Sequence, residues 1–458
     1  MTTARIPALS ISAPLRYATF GALYFAQGIP SGLFTFAIPA WLIMQGVSAL
    51  AIGGYLGTIM LPWTFKILAG PLIDRYGFLP MGRRRPWLIG AQLGLLISLC
   101  CLAFIQDAAS NIGPLTAVAF LVNCFTAVQD VATDGLAVDI LPIEERSKAN
   151  GVMWGAKTLG ISATLAGSTY LINHQGLSFA VLVLASVVAF IALLPIFLCE
   201  RPGEKRLPWT SGVTSPEVLK LGNETWGSIL MALKNGFLLR NSLLGAIYLA
   251  LGGLAIGLKD ALLPLFTVQQ LGWSNDAYAN TVAGANMVSA IAAMLLAGWL
   301  AEHVGKVRII GIYQGLIMAA WITLACTAAF WGNNGYIRSM IAVIQSLETF
   351  CVVAVFATAM CLCWQRVAAT QFTLYMVCNN LGMACGGALL GPLKLGLNWS
   401  GMFLCMAGVL LVAGGLIQFM RLHAHAAALG RHDDSLRRAA LREQNRPAMD
   451  LDVAMPVT

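Results

Sequence analysis

The chain has 458 residues, 58% of them hydrophobic and only 10% charged, with a mean hydropathy of +0.76. Soluble domains are about 45–50% apolar and about 25% charged, and 28 Lys+Arg with 20 Asp+Glu cannot solvate the surface of a 48.7 kDa globule. They can cap the ends of a helix bundle buried in lipid, so a soluble enzyme is excluded and the lipid bilayer is the expected environment.

A hydrocarbon core of ~30 Å needs ~20 apolar residues per crossing helix. The first apolar segment begins near Tyr17 and is too long for a signal-peptide core, so it reads as a retained span. In chain order twelve spans are predicted: 16–44, 49–73, 86–106, 112–138, 148–172, 177–199, 241–268, 276–301, 308–331, 338–364, 369–393 and 399–421. The expected fold class is an all-α membrane protein of twelve transmembrane helices in two six-helix, pseudo-symmetric halves. Residues 1–199 form the first half, 200–240 a polar linker, 241–421 the second half and 422–458 a tail. The tail is expected to be a short surface helix followed by a disordered last dozen residues.

Lys66, Lys157 and Lys259 fall inside spans. Of the remaining basic residues, only Arg338 and Lys394 lie opposite the side that holds both termini. Lys/Arg-rich loops stay cytoplasmic, so both ends are predicted to be cytoplasmic. The net charge of +8 is therefore topology, and no nucleic-acid partner is implied. The 11 cysteines all sit in apolar runs, and Cys361-Leu362-Cys363 is too tight for a spaced metal pair. They read as small packing residues; no metal and no cofactor are expected.

Span one contains Gln27-Gly28-Ile29-Pro30. Pro30 donates no N–H and crowds the carbonyl of Ala26, so Gln27 and a loosened carbonyl face either a polar substrate or a packing kink. After span two comes Gly70-Pro71-Leu72-Ile73-Asp74-Arg75-Tyr76-Gly77, and after span eight Gly298-Trp299-Leu300-Ala301-Glu302-His303-Val304-Gly305-Lys306. Each is Gly, three residues, an acid, a base-type residue, one more residue and Gly, placed between the second and third helices of its half. Parallel half-repeats mark secondary transporters.

Span four carries Asp130 and Asp134, one turn apart on one helix face. At a rise of ~1.5 Å per residue, Asp130 lies roughly 13 Å from Asp139 at the cytoplasmic end. A charge in lipid costs about 2.5–3.5 kcal/mol and calls for a partner or a task. Two buried carboxylates on one face repel, which suits proton exchange. Lys157, near the middle of span five, is the expected counter-ion of Asp130, as either a fixed salt bridge or part of a relay. Lys66 is expected to snorkel toward the interface. Lys259 and Asp260, sequence neighbours about 100° apart round span seven, are not expected to neutralise each other.

Glu348 lies near the midplane of span ten with no basic residue within a turn. It is expected to be unpaired and to exchange a proton or bind substrate. Gln371, Asn379 and Asn380 in span eleven offer neutral hydrogen-bonding groups for a sugar or amide, or glue between helices.

The loop repeat resembles the cytoplasmic motif of the major facilitator superfamily, in which the acid pairs with arginine and a neighbouring helix N-terminus to latch the outward-open state. This chain departs from the general motif: Arg83-Arg84-Arg85 follows the inserted Phe78-Leu79-Pro80-Met81-Gly82. That insertion, Gln129-Asp130-Val131-Ala132-Thr133-Asp134-Gly135, Gln27-Gly28-Ile29-Pro30 and Ala369-Thr370-Gln371-Phe372 resemble the peptide/acetyl-coenzyme A transporter branch, which includes AmpG-like muropeptide permeases. The resemblance implies a monomeric, proton-coupled importer of muropeptides in the bacterial inner membrane, with protons and a small molecule as partners. Siderophore or acyl-CoA transport is the alternative within the branch. It also implies a gating set of Gly70, Asp74, Arg75, Arg83, Arg84, Gly298, Glu302 and Lys306. The cavity set is Asp130, Asp134, Lys157, Glu348, Gln27 and Asn379.

A non-transporting signalling protein would lack intramembrane carboxyls or carry a large soluble domain, and neither is seen in the sequence. An intramembrane enzyme is disfavoured because no histidine falls in a predicted span, and no catalytic residue is assigned.

Overall fold

The structure is a computed structural model that describes residues 8–444 except 48, 106, 222–224 and 274. Helix is the only regular structure among the described residues. The last dozen residues, predicted to be disordered, lie outside them.

α1 (Ala13–Pro30) runs through a π-helical stretch, Ser31–Ala37, into α2 (Ile38–Met44). α3 (Ala49–Phe65) continues through a 3₁₀ turn, Lys66–Leu68, into α4 (Ala69–Arg75). There follow α5 (Arg85–Ala103), α6 (Ile112–Ile140), α7 (Arg146–Gln175) and α8 (Leu177–Phe197). The linker holds two short helices, α9 (Pro216–Leu221) and α10 (Trp226–Phe237). The second set is α11 (Arg240–Gln269), then α12 (Asn275–Ala292) joined by a π-helical turn, Ala293–Ala297, to α13 (Gly298–Val304). It ends with α14 (Lys306–Cys326), α15 (Asn334–Leu362), α16 (Ala368–Gly396) and α17 (Trp399–Ile417), with α18 (Leu422–Gln444) as the tail helix.

Ten helices among the described residues are long and apolar enough to cross a membrane. The α1–α2 unit and α7 are long but outside that set. They carry buried Arg16, Gln27, Arg146 and Asn150 and pack against each other, so part of their polar content is shielded by protein. With them, and apart from the polar tail helix α18, the long helical units among the described residues number twelve, whereas apolar length alone supports ten. Ile97, Phe190, Leu295 and Leu411 point outward and are exposed, as side chains that meet acyl chains are.

Pro30 does not end its helix. The ladder shifts to π spacing directly after it, a common way to absorb a lost donor.

Small residues set the closest contacts. A Cβ at Gly253 or Gly257 on α11 would lie 2.0 or 1.9 Å from the carbonyl oxygens of Asn379 and Met383. One at Gly382 or Gly386 on α16 would lie 2.0 or 2.1 Å from those of Ala250 and Leu254. Two Gly-x-x-x-Gly faces thus interlock, the arrangement that lets membrane helices approach closely. The first half repeats it: Gly28 abuts the Lys157 carbonyl, and Gly160 abuts that of Phe25. In both halves the tightest pairing joins the first and fifth long units.

Candidate functional site

The loop after α4 forms a buried charge cluster on the face that carries the linker. Asp74, fully buried, forms an ion pair through Oδ1 with Arg84 Nη2 at 2.6 Å. Its Oδ2 accepts from the Thr370 N–H (2.8 Å) and hydroxyl (2.6 Å) in the first turn of α16. An anion beside a helix N-terminus and a guanidinium is stabilised by both. Arg84 Nε also donates to Asp139 at 2.9 Å. Arg83 lies 3.7 Å from each of the two aspartates and donates to the Gln365 carbonyl at 2.7 Å and to the Arg366 carbonyl. The latch therefore ties the first helix set to the α15–α16 turn of the second. The Arg75 guanidinium lies over the rings of Tyr76 and Trp226, 5.2 and 5.3 Å away.

The second copy crosses in the opposite sense. Glu302 pairs with Lys148 at the start of α7 at 2.9 Å, and Lys306 donates to the Ile143 carbonyl at 3.2 Å. The motif glycines have matching tasks. A Cβ at Gly70 would lie 2.8 Å from Thr370 Cα, and one at Gly298 2.4 Å from Lys148 Cα. Each glycine lets its half's second long unit touch the other half.

Sequence reasoning missed Glu200. Its buried carboxylate accepts from the backbone N–H groups of Arg83, Arg84 and Arg85 at 3.1, 2.8 and 2.6 Å and so caps α5. Gly82, at φ +99°, makes room: a Cβ there would lie 2.5 Å from the Glu200 carboxyl carbon. The signal was an acid directly after span six, but only the fold brings it to the loop 117 residues earlier.

Within the membrane layer the pairing differs from expectation. Asp130 pairs with Lys66 at 3.0 Å, both side chains almost fully buried; Lys157 is not its partner. The 3₁₀ turn that begins at Lys66 directs that side chain inward instead of toward the interface. Asp134 accepts from the Tyr24 hydroxyl. Lys157 lies instead 5.2, 5.4 and 5.9 Å from the rings of Trp154, Trp63 and Tyr24.

Glu348 is not unpaired. Lys259 on α11 donates to it, to Gln345 at 3.1 Å and to its neighbour Asp260 at 3.0 Å. The expected indifference of Lys259 and Asp260 to each other is thereby also corrected. Beside the pair lies a cavity of about 60 Å³ lined by Lys259, Glu348, Tyr248, Trp321 and Asn379, room for only a few waters.

Gln27 is fully buried, and neither of its amide atoms has a hydrogen-bond partner among the described residues. Asn379 is buried and meets Met383 Sδ at 3.6 Å, whereas Asn380 is exposed. Gln371 is structural: it bonds to the Trp364 N–H, the Leu362 carbonyl and the hydroxyls of Ser242 and Tyr375. No group of three or more His, Cys, Asp or Glu suited to a metal occurs among the described residues.

Two helix sets latched at one face, with paired charges buried inside each, are the architecture of a secondary transporter. Residues 20–387 match the family described as Major Facilitator Superfamily, and the chain belongs to it. It is a transporter of that family with anhydromuropeptide permease relatives. It is 24% identical over 393 residues to the Anhydromuropeptide permease of Escherichia coli K12, covering 83% of this chain and 75% of the relative. It is 26% identical to the Putative transporter AmpG 4 of Rickettsia conorii, covering 83% and 91%. Among solved structures, the E. coli fucose:proton symporter FucP superposes with a TM-score of 0.67 at 13% identity, over 88% of this chain and 98% of that one. A bacterial homologue of the iron transporter ferroportin in its outward-facing state superposes at 0.63 and 12%, over 88% and 98%. These likenesses concern the fold.

Proposed function

We propose that the protein imports muropeptides across the bacterial inner membrane by proton symport, as a monomer with both termini cytoplasmic. The halves 1–199 and 241–421 rock against each other in this reading. The muropeptide assignment draws on the permease relative in E. coli, and the orientation on the Lys/Arg excess of the linker face.

One observation carries the proton role: Asp134 is a buried carboxyl whose hydrogen-bond partner is the neutral Tyr24 hydroxyl. Asp130 and Glu348 are each held by a lysine. A carboxyl that makes no ion pair within 4 Å among the described residues gains a proton without breaking one, so Asp134 carries the coupled proton. Glu348 with Lys259 forms a fixed pair in the opposite wall.

The test is uptake of labelled anhydro-muropeptide into proteoliposomes under an inward proton gradient. Asp134→Asn is expected to abolish gradient-driven accumulation while substrate exchange at equal pH persists. Glu348→Gln is expected to weaken both alike. Accumulation that survives in Asp134→Asn, or that ignores an uncoupler, would overturn the proton assignment. Accumulation of acetyl-CoA or a siderophore in place of the muropeptide would overturn the substrate.

A further inference from the structure

Lys157 is a cation that the fold surrounds with rings and, among the described residues, leaves without an ion pair within 4 Å. Its ammonium faces Trp154, Trp63 and Tyr24 at 5.2–5.9 Å. Among the described residues it makes no hydrogen bond and no ion pair within 4 Å. The nearby acids have other partners: Asp130 takes Lys66, and Asp134 takes the Tyr24 hydroxyl. Cation–π contacts attract the charge electrostatically, yet an ammonium presents three N–H donors that ring faces satisfy poorly. Such a group inside a membrane calls for an anionic oxygen.

The surroundings show where that oxygen would come from. Trp154 stands three residues before Lys157 on the same helix face and stacks on Phe356 of the opposite half, with centroids 4.9 Å apart. Lys157 thus lies about 4.5 Å along the helix from that inter-half contact, on the side away from the latch. Lys157 is half-buried, in contrast to the almost fully buried Lys66. On α1, Gln27 stands three residues after Tyr24, hence on the same face. Its buried amide has no hydrogen-bond partner among the described residues, a second polar group at this level that lacks one there.

We infer that Lys157, ringed by Trp154, Trp63 and Tyr24, is the receptor for an anionic oxygen group of the transported molecule, with Gln27 as its neutral neighbour. The substrate is therefore an anion. This rests on the transport reading above and adds the charge of the cargo. Binding replaces no ion pair, so it leaves Asp130–Lys66 and Glu348–Lys259 in place.

The experiment is calorimetric titration of purified full-length protein with three probes: an anhydro-muropeptide with free carboxylates, the same molecule with its carboxyls amidated, and acetyl-CoA. Wild type is expected to bind the free acid about tenfold or more tightly than the amide, the scale of a charged hydrogen bond. Lys157→Gln should bind both with the same weak affinity, and Lys157→Arg should restore the preference, which separates charge recognition from a folding defect. Equal affinity of wild type for acid and amide, a preference that persists in Lys157→Gln, or binding of none of the probes would overturn the inference. Tight binding of acetyl-CoA alone, lost in Lys157→Gln, would retain Lys157 and overturn the muropeptide reading.

Discussion

Glu204 shows how a single linker residue responds to pH. It is 5% exposed, and burial first, then the neighbouring Glu200 carboxylate, push its carboxyl up to about 7. Its Oε2 accepts from the Arg201 N–H at 3.0 Å, which opposes the rise. A carboxyl raised in the folded state contributes stability that is fully present below the usual carboxylate range. That contribution is lost as pH rises through about 7. Glu204→Gln keeps the acceptor and removes the titration, so its Tm should exceed that of wild type by a few degrees at pH 8, with the gap closing toward pH 5. Parallel pH profiles for the two proteins would show that the linker does not titrate here.

The limits of sequence reasoning lie at this scale too. That Asp130, Lys157 and Glu348 need partners follows from their depth in an apolar run. Which lysine serves which acid does not, because the partners are 64 residues apart for Asp130 and Lys66 and 89 apart for Glu348 and Lys259. Only helix packing selects them. Local spacing favoured the next helix in sequence, and Lys157 turned out to face rings.

At the scale of elements, the spans were legible because a bilayer imposes length and apolarity on every crossing segment. The loop repeat was legible because it recurs in chain order. The register between helices was not stated by hydropathy, yet a signal was present: Gly253-x-x-x-Gly257 and Gly382-x-x-x-Gly386 place small faces on α11 and α16. Lipid tails are as apolar as leucine, so close backbone packing substitutes for the hydrophobic drive between helices. Gly257→Leu would force a side chain where even a Cβ stands 1.9 Å from the Met383 carbonyl oxygen. Overpacking of this kind costs about 1–3 kcal/mol or more. The expected result is a lower Tm and a reduced yield of folded protein. Gly252→Ala on the same helix, where a Cβ meets nothing within 4 Å, should match wild type. Equal loss at both positions would mean that generic helix stiffness, not the interlock, is at stake.

Across the whole molecule, two copies of one motif clamp the linker face with unequal strength, and burial decides which dominates. Asp74 and Arg84 are both fully buried, whereas Lys148, the partner of Glu302, is 47% exposed. Removing one member of a buried pair costs about 3–5 kcal/mol, whereas a largely exposed pair contributes about 0–1 kcal/mol. Asp74→Asn strips the charge that Arg84 and the start of α16 both face in this arrangement. Differential loss of that size shifts a two-state population by a hundredfold or more, on the order of the tenfold per 1.4 kcal/mol rule. Amide hydrogen exchange in the α15–α16 turn, residues 363–371, should therefore rise steeply in Asp74→Asn and barely in Glu302→Gln. Substrate uptake should fall in the same order. If the two variants open the face equally, the pseudo-symmetric copies share the latch. The buried Asp74–Arg84–Thr370 junction would then be a packing feature instead of the element that sets the resting conformation.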